Sequence, residues 1–294
     1  MTFILFLLVG LLGGTVGALV KFATFEIPAV LLVSIRLLIA LVIFTPIFLK
    51  LKIKIPKNKI KILSVSGLLL SANIILFSIG VQHTSVIMSQ LIYVPTSIIV
   101  GIFGYLFLKE KISFNQILGL FMTIIGMLIL ITGSFKTRDI QTFGEPFGNV
   151  LIIIALFCWS GYLLLSRKIV KDYSPTASAF ANFAVAFSAS LLLLPIEYAN
   201  NNYSQLQIST SSYVALLMLG IASALFIFLY QYFIKKTSAF VASLITYMNP
   251  IVASILGVSF FNETLTPNLI VGSLVVITGV FMATTYNYFA IKNN

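Results

Sequence analysis

The sequence predicts an all-α integral membrane protein: ten transmembrane helices built as two inverted five-helix repeats. Three observations carry this: a composition starved of charge, ten apolar runs, and a weak self-similarity at nearly constant offset. Of 294 residues, 60% are hydrophobic and 9% charged, with a mean hydropathy of +1.10. Soluble domains carry about 25% charged residues, so these charges cannot cover a water-soluble surface. Ten spans of ~20 residues use about 200 positions, which leaves short connections and no room for a further domain.

In chain order the apolar runs are Phe3–Val20, Ile27–Leu49, Ile62–Val81, Val86–Leu108, Phe114–Ile131, Phe147–Leu165, Pro175–Ile196, Tyr213–Ile234, Ala239–Phe261 and Leu265–Ala290. The first run has no positive n-region and no clear small-residue cleavage site, so it reads as a retained span. The longest polar stretches, Thr132–Pro146 and Glu197–Ser212, are too short for a domain. The net charge of +11 sits between apolar runs, so it reports topology and not a nucleic-acid partner. Fourteen Lys and Arg lie on the side holding both termini, three (Lys21, Lys136, Arg138) on the other, and Arg36 lies within a span. That bias predicts both termini in the cytoplasm. Cys158 is the one cysteine, which excludes a disulfide framework and a cysteine-based metal cluster.

The two halves, 1–135 and 147–294, match in order. An offset of 153 pairs Thr84 with Thr237, Ser85 with Ser238, Glu110 with Glu263, Gly119 with Gly272 and Gly126 with Gly279. Near the start of each half an offset of 147 pairs Gly14 with Gly161, Lys21 with Lys168 and Pro28 with Pro175. A duplicated unit of five spans must place its second copy upside down in the bilayer. Loop charges agree: the lysine-rich Lys50–Lys61 corresponds to Glu197–Ser212, which has neither Lys nor Arg.

Ten spans, five-plus-five repeats and about 300 residues resemble the drug/metabolite transporter superfamily, of the EamA permease type. The local carriers are Tyr93-Val-Pro95 leading to Leu-Lys-Glu110-Lys-Ile, and Tyr247-Met-Asn-Pro250 leading to Phe-Asn-Glu263-Thr-Leu. Ser34-Ile-Arg36-Leu-Leu and Trp159-Ser160-Gly161 add to it. Departures are Gly13-Gly14 where a Trp-Gly pair is common, and Phe183 at the place of Arg36 in the second half. The resemblance implies a secondary transporter, not an enzyme, in the cytoplasmic membrane. It would move a small metabolite such as an amino acid or related compound by alternating access, in export or facilitated exchange. Cationic drugs and nucleotide-linked sugars are alternative cargoes, and a receptor or assembly scaffold is the alternative function. The expected partners are a small-molecule solute and the lipid bilayer, without nucleic acid, cofactor or metal, and with a homodimer left open.

The candidate pathway is read from polar and kinked positions at mid-span. Pro95 and Pro250 lie near the centres of their spans, where a proline deletes a backbone bond and the freed carbonyls must face protein or a water-filled cavity. Asn73, Gln90, Tyr93, Trp159, Tyr162, Asn182, Tyr230, Gln231, Tyr247 and Asn249 extend that pathway, each with the alternative reading of helix–helix glue. Arg36 is the one buried charge. It reads either as a contact for a cargo carboxylate or phosphate, or as a structural anchor that caps carbonyls or pairs with a helix-end acid such as Glu263; the recurrence of this Arg in the resembled family favours the anchor. The seven acids all fall at helix ends or in loops, which leaves no obvious proton-coupling group at mid-membrane depth. The Gly10/Gly14 and Gly13/Gly17 pairs predict close packing of the first helix.

Overall fold

The computed structural model describes residues 2–51, 57–84, 86–110, 112–134, 145–200, 203, 206–261 and 267–291. Among them every regular element is helical. The elements are α1 (Thr2–Ala23), α2 (Ala29–Lys50), α3 (Ile60–Gly80), α4 (Val86–Ile92), α5 (Thr96–Leu108), α6 (Phe114–Ser134), α7 (Pro146–Asp172), α8 (Pro175–Asn200), α9 (Thr210–Lys236), α10 (Ala239–Ser243), α11 (Met248–Phe261) and α12 (Pro267–Ile291). Six stretches, over α1, α2, α3, α7, α8 and α9, are long and apolar enough to cross a membrane, and shorter apolar helices accompany them. The protein is a multi-pass membrane protein. Large side chains such as Ile4, Leu49, Phe107, Leu192 and Leu274 are exposed, as a lipid-facing surface requires, because lipid tails and not water cover them.

Prolines open several helices. Pro146, Pro175 and Pro267 stand at the first positions of α7, α8 and α12, where a missing N–H removes no helical bond. Other starts are capped by side chains. Ser209 Oγ accepts from Ser212 N and Ser238 Oγ from Val241 N. Glu197, near the end of α8, accepts from Val30 N at 2.7 Å and Leu31 N at 2.9 Å. A carboxylate at those free N–H groups also meets the positive end of the α2 dipole.

The sequence ends the sixth span at Leu165, but α7 continues to Asp172 and carries Arg167, Lys168 and Lys171 within the helix. Of these, Lys171 stands in the last turn, where a basic residue faces the negative end of the dipole. The fourth and ninth spans, expected as single kinked helices, are each two. A turn at Tyr93–Pro95 separates α4 from α5, and a 3-10 segment, Leu244–Tyr247, separates α10 from α11.

Helices meet closely where glycine removes a side chain. A Cβ on Gly119 would lie 2.5 Å from the Gly279 carbonyl, one on Gly126 2.9 Å from the Gly272 carbonyl, and one on Gly279 2.7 Å from the Gly119 carbonyl. Residue numbers rise along α6 as they fall along α12, so the pair is antiparallel and backbone touches backbone. Gly67 on α3 seats Val185 of α8, and Gly220 on α9 seats Ile39 of α2. On α1, Gly10 and Gly14 receive Met248 and Val252 of α11. The first-helix glycines are thus packing surfaces, as their spacing predicts.

Candidate functional site

The two helix breaks stand beside a cavity between α1, α2, α3, α4, α7, α9 and the α10–α11 connection. Pro95 closes the Tyr93–Pro95 turn as the residue before α5, and Pro250 lies in the first turn of α11, so each proline stands at the start of the second helix of its pair, where proline is tolerated. The wall includes Gly13 and Gly17 of α1, Gln90 and Tyr93 at the first break, and Ile245, Thr246 and Asn249 at the second. From α3 come Leu70, Asn73, Ile74 and Phe77, and from α9 Ser223, Phe226, Ile227 and Tyr230. These two sets are one face repeated. Each α3 residue has its α9 counterpart 153 positions later.

Aromatic rings build one side. The Trp159 ring stacks on Phe226 with centroids 6.0 Å apart and meets Tyr230 edge-on at 5.3 Å, geometries that aromatic quadrupoles favour. Tyr93 is fixed by the Asn73 amide, which donates to its hydroxyl at 2.5 Å and to the Ala155 carbonyl at 2.8 Å. Phe77 meets the Tyr93 ring edge-on at 5.9 Å. Glycine seats two amides: a Cβ on Gly17 would lie 2.5 Å from Gln90 Nε2, and one on Gly13 2.8 Å from Asn249 Oδ1. Side chains at either position would drive those amides from the wall.

Arg36 lines the same cavity and is 5% exposed. Its Nε has no hydrogen-bond partner, and neither Asn249 Oδ1 nor Ser223 Oγ has one. The acid-paired form of the anchor reading expects an acid beside Arg36; among the described residues none pairs with it. The ion pairs there are Lys59–Asp172, His83–Glu145 and Arg167–Glu110. Glu263, the acid proposed as its partner, lies outside the described residues.

A second polar layer packs behind Trp159. Gln231 Nε2 donates to the Tyr162 hydroxyl at 2.7 Å and to Ser166 Oγ at 3.0 Å, and the Tyr162 and Trp159 rings stack at 5.2 Å. Asn182 is fully buried beside the Tyr162 hydroxyl. The Tyr230 hydroxyl donates to the Ala242 carbonyl at 2.5 Å, which ties α9 to α10. The Tyr247 and Ser97 hydroxyls are 2.6 Å apart and link the two broken helices.

Cationic caps hold helix ends around these layers. Lys21 Nζ donates to the carbonyls of Val81 at 2.7 Å and Thr84 at 3.0 Å, at the end of α3. Arg167 Nη1 donates to the Ile234 carbonyl at 2.8 Å, at the end of α9, while its Nε donates to Glu110 at 2.8 Å. Glu110 in turn accepts from Ala239 N, 3.2 Å away, at the start of α10. Lys109, at φ 53, turns the chain so that Glu110 N reaches back to the Gly104 carbonyl at 3.2 Å.

Of the residues singled out from sequence, Arg36, Asn73, Gln90, Tyr93, Trp159, Tyr230 and Asn249 come together on the wall. Tyr162, Asn182 and Gln231 form the layer behind it, Tyr247 joins the breaks, and Pro95 and Pro250 flank them. His83 pairs with Glu145 at 3.0 Å. Sequence reading passes over Ser223, Phe226, Thr246, Phe77 and the lining role of Gly13 and Gly17. The offset of 153 would have found Phe226, because it is the counterpart of Asn73.

Comparison with known proteins agrees with this architecture. A solved crystal structure superposes with a TM-score of 0.75 over 96% of each chain at 16% identity, a likeness of fold. A transporter of Clostridium kluyveri is 25% identical over 230 residues, covering 78% of this chain and 73% of its own. The Bacillus subtilis transporter YoaV is 23% identical over 283 residues, covering 94% of both chains, and YyaM of the same organism is 28% identical over 211 residues, covering 71% and 67%. All three are named as transporters without a stated cargo. The EamA-like transporter family matches residues 1–132 and 146–285, and the chain belongs to that family.

Proposed function

We propose that the protein is a secondary transporter that carries a small metabolite, such as an amino acid or a related compound, through this cavity by alternating access. Export or facilitated exchange is the expected mode. The observation that carries the reading is the matched wall: Leu70, Asn73, Ile74 and Phe77 on α3 answer Ser223, Phe226, Ile227 and Tyr230 on α9. A site lined by equivalent faces of two oppositely directed units can be opened to either side by the same kind of motion.

The proposed architecture is ten spans in two inverted five-helix repeats, 1–135 and 147–294. The broken pairs α4–α5 and α10–α11 each count as one span, and α6 and α12 complete the ten. Reciprocal contacts support it. Gly119 meets Gly279 and Gly126 meets Gly272, the pattern of a two-fold contact in which i touches j′ and j touches i′. Gly67 with Val185 and Gly220 with Ile39 repeat that pattern. Both termini face the cytoplasm in this reading, from the fourteen-to-three distribution of Lys and Arg. A receptor or scaffold gives the paired helix breaks no purpose.

The test is counterflow in proteoliposomes against a metabolite library. One or more small solutes should exchange, and Trp159→Ala should lower that exchange at least tenfold at normal abundance. Absence of counterflow for every class of metabolite, with protein folded and inserted, overturns the carrier reading.

A further inference from the structure

We infer that Arg36 is the docking point for an anionic group, and that the cargo is a small organic anion whose carboxylate pairs with it; this rests on the carrier reading of the cavity. Among the described lining residues Arg36 is the one Lys, Arg, Asp or Glu. It is 5% exposed, its Nε is unpartnered, and among the described residues no acid pairs with it. The remaining carboxylates there are engaged elsewhere. Glu26 accepts from Ser209 N, and Glu197 from Val30 N and Leu31 N. A guanidinium keeps its charge. Within the membrane it is stable only against polar groups, water or an anion, and a buried charge without its partner is the costly arrangement.

The rest of the wall describes the remainder of the cargo. Asn249 Oδ1 is a buried acceptor with no donor, and Ser223 Oγ is also free, so an N–H or O–H near the carboxylate completes them. Trp159, Phe226 and Tyr230 offer ring surface for an apolar or aromatic body. A cationic cargo meets the opposite conditions, because no carboxylate among the described residues lines the cavity. Its attraction to the rings would have to exceed repulsion by a like charge in a site of low dielectric.

Trp159 is the single tryptophan of the chain, so fluorescence quenching reads this cavity alone. In tryptophan-free dodecyl maltoside micelles at constant ionic strength, neutral acrylamide reports access and iodide reports anion concentration beside the ring. Iodide should quench the unmodified protein about fivefold more than Arg36→Gln, with Arg36→Lys close to the unmodified protein and acrylamide quenching equal in all three. Phenylacetate should relieve iodide quenching at concentrations where its neutral amide, phenylacetamide, does not. Equal iodide quenching in Arg36→Gln with acrylamide still reaching Trp159 overturns the anion site and leaves the carrier reading standing. Equal relief by both probes, or by neither, assigns Arg36 an inorganic counter-ion only and overturns the cargo class. Failure of acrylamide to reach Trp159 removes the cavity and both readings with it. Should Arg36→Gln not fold, the two phenyl probes on the unmodified protein decide the matter.

Discussion

Lys21 and Arg167 make the same contact in different halves of the chain. Lys21 Nζ takes the Val81 carbonyl at 2.7 Å, and Arg167 Nη1 takes the Ile234 carbonyl at 2.8 Å. Val81 and Ile234 stand 153 residues apart, Lys21 and Arg167 146 apart. Each cation satisfies carbonyls that a helix end leaves without partners, and each faces the negative end of a helix dipole. Arg167 also holds Glu110, whose side chain is 9% exposed, and Glu110 caps α10.

That added burden sets the order of two substitutions. Arg167→Met leaves Glu110 enclosed without its partner, an arrangement that costs about 3 kcal/mol, whereas Lys21→Met removes only a part-exposed cap worth about 1 kcal/mol. Thermal unfolding in detergent should therefore show the larger loss of Tm for Arg167→Met. Adding Glu110→Leu to Arg167→Met should recover part of it, because no unpaired charge remains. A larger loss for Lys21→Met contradicts this ranking.

The glycines of α1 separate packing from lining. Gly14→Ala pushes a methyl into Val252, held in the α11 helix, whereas Gly17→Ala meets the mobile end of Gln90. Gly14→Ala should lower the yield of folded protein, since overpacking costs about 1–3 kcal/mol. Gly17→Ala should fold normally and impair transport by displacing the Gln90 amide. Size-exclusion profiles and counterflow on the two variants check this, and equal yields would contradict it.

Much of this was legible in the sequence, and the losses have physical reasons. The apolar runs locate the helices because hydrocarbon demands them, and the prolines locate the breaks to within a turn. Pro250 lies downstream of its break because a helix start accepts proline more readily than the 3-10 segment Leu244–Tyr247 does. The sequence pairing of Lys21 with Lys168 is one residue from the contact pairing with Arg167, since adjacent basic residues blur a register. The contact register of 146, which also joins Ile39 with Val185, sets Asn182 and not Phe183 against Arg36. Gly13 and Gly17 were legible as packing residues, but a missing side chain carries no sign of the cavity it lines. The acids Glu26, Glu110 and Glu197 were legible as helix-end residues; their partners lie 57 to 183 positions away, beyond the reach of local pattern.

Glu26 carries a pH dependence. The Ser209 backbone N–H, together with the nearby serine hydroxyls, holds its carboxyl below the ordinary carboxylate value. A depressed folded-state pKa contributes stability above the unfolded value and loses it as pH falls through the folded one. Glu26→Gln should therefore lower Tm slightly at pH 7, and the gap should close below about pH 4. Melting curves at both pH values test it; a gap that widens in acid reverses the sign.

Orientation follows from charge. Ser211→Cys, at the exposed start of α9, and Asn58→Cys, between α2 and α3, are each placed on a Cys158→Ser background. With both termini cytoplasmic, a membrane-impermeant maleimide added to intact cells should label position 211 and spare position 58. The reverse pattern overturns the orientation and leaves the fold untouched.

Energy coupling is the last consequence of where the acids stand. Among the described residues no Asp or Glu lines the cavity, and the helix-end acid Glu110 is held by Arg167 Nε at 2.8 Å while it caps Ala239 N. Those bonds tie α7 to α10, so a proton-loading step at Glu110 would have to break a structural joint. Arg36 stays charged throughout a cycle, and His83 pairs with Glu145 away from the cavity. Transport should therefore follow the solute gradient and respond weakly to a pH gradient. Proteoliposomes with equal solute on both sides and an imposed pH gradient decide the matter. The expected result is no accumulation, with Glu110→Gln losing thermal stability and keeping the same pH response. Accumulation driven by the pH gradient and abolished in Glu110→Gln would sink the facilitator reading and make the Arg167–Glu110 pair a proton-linked gate.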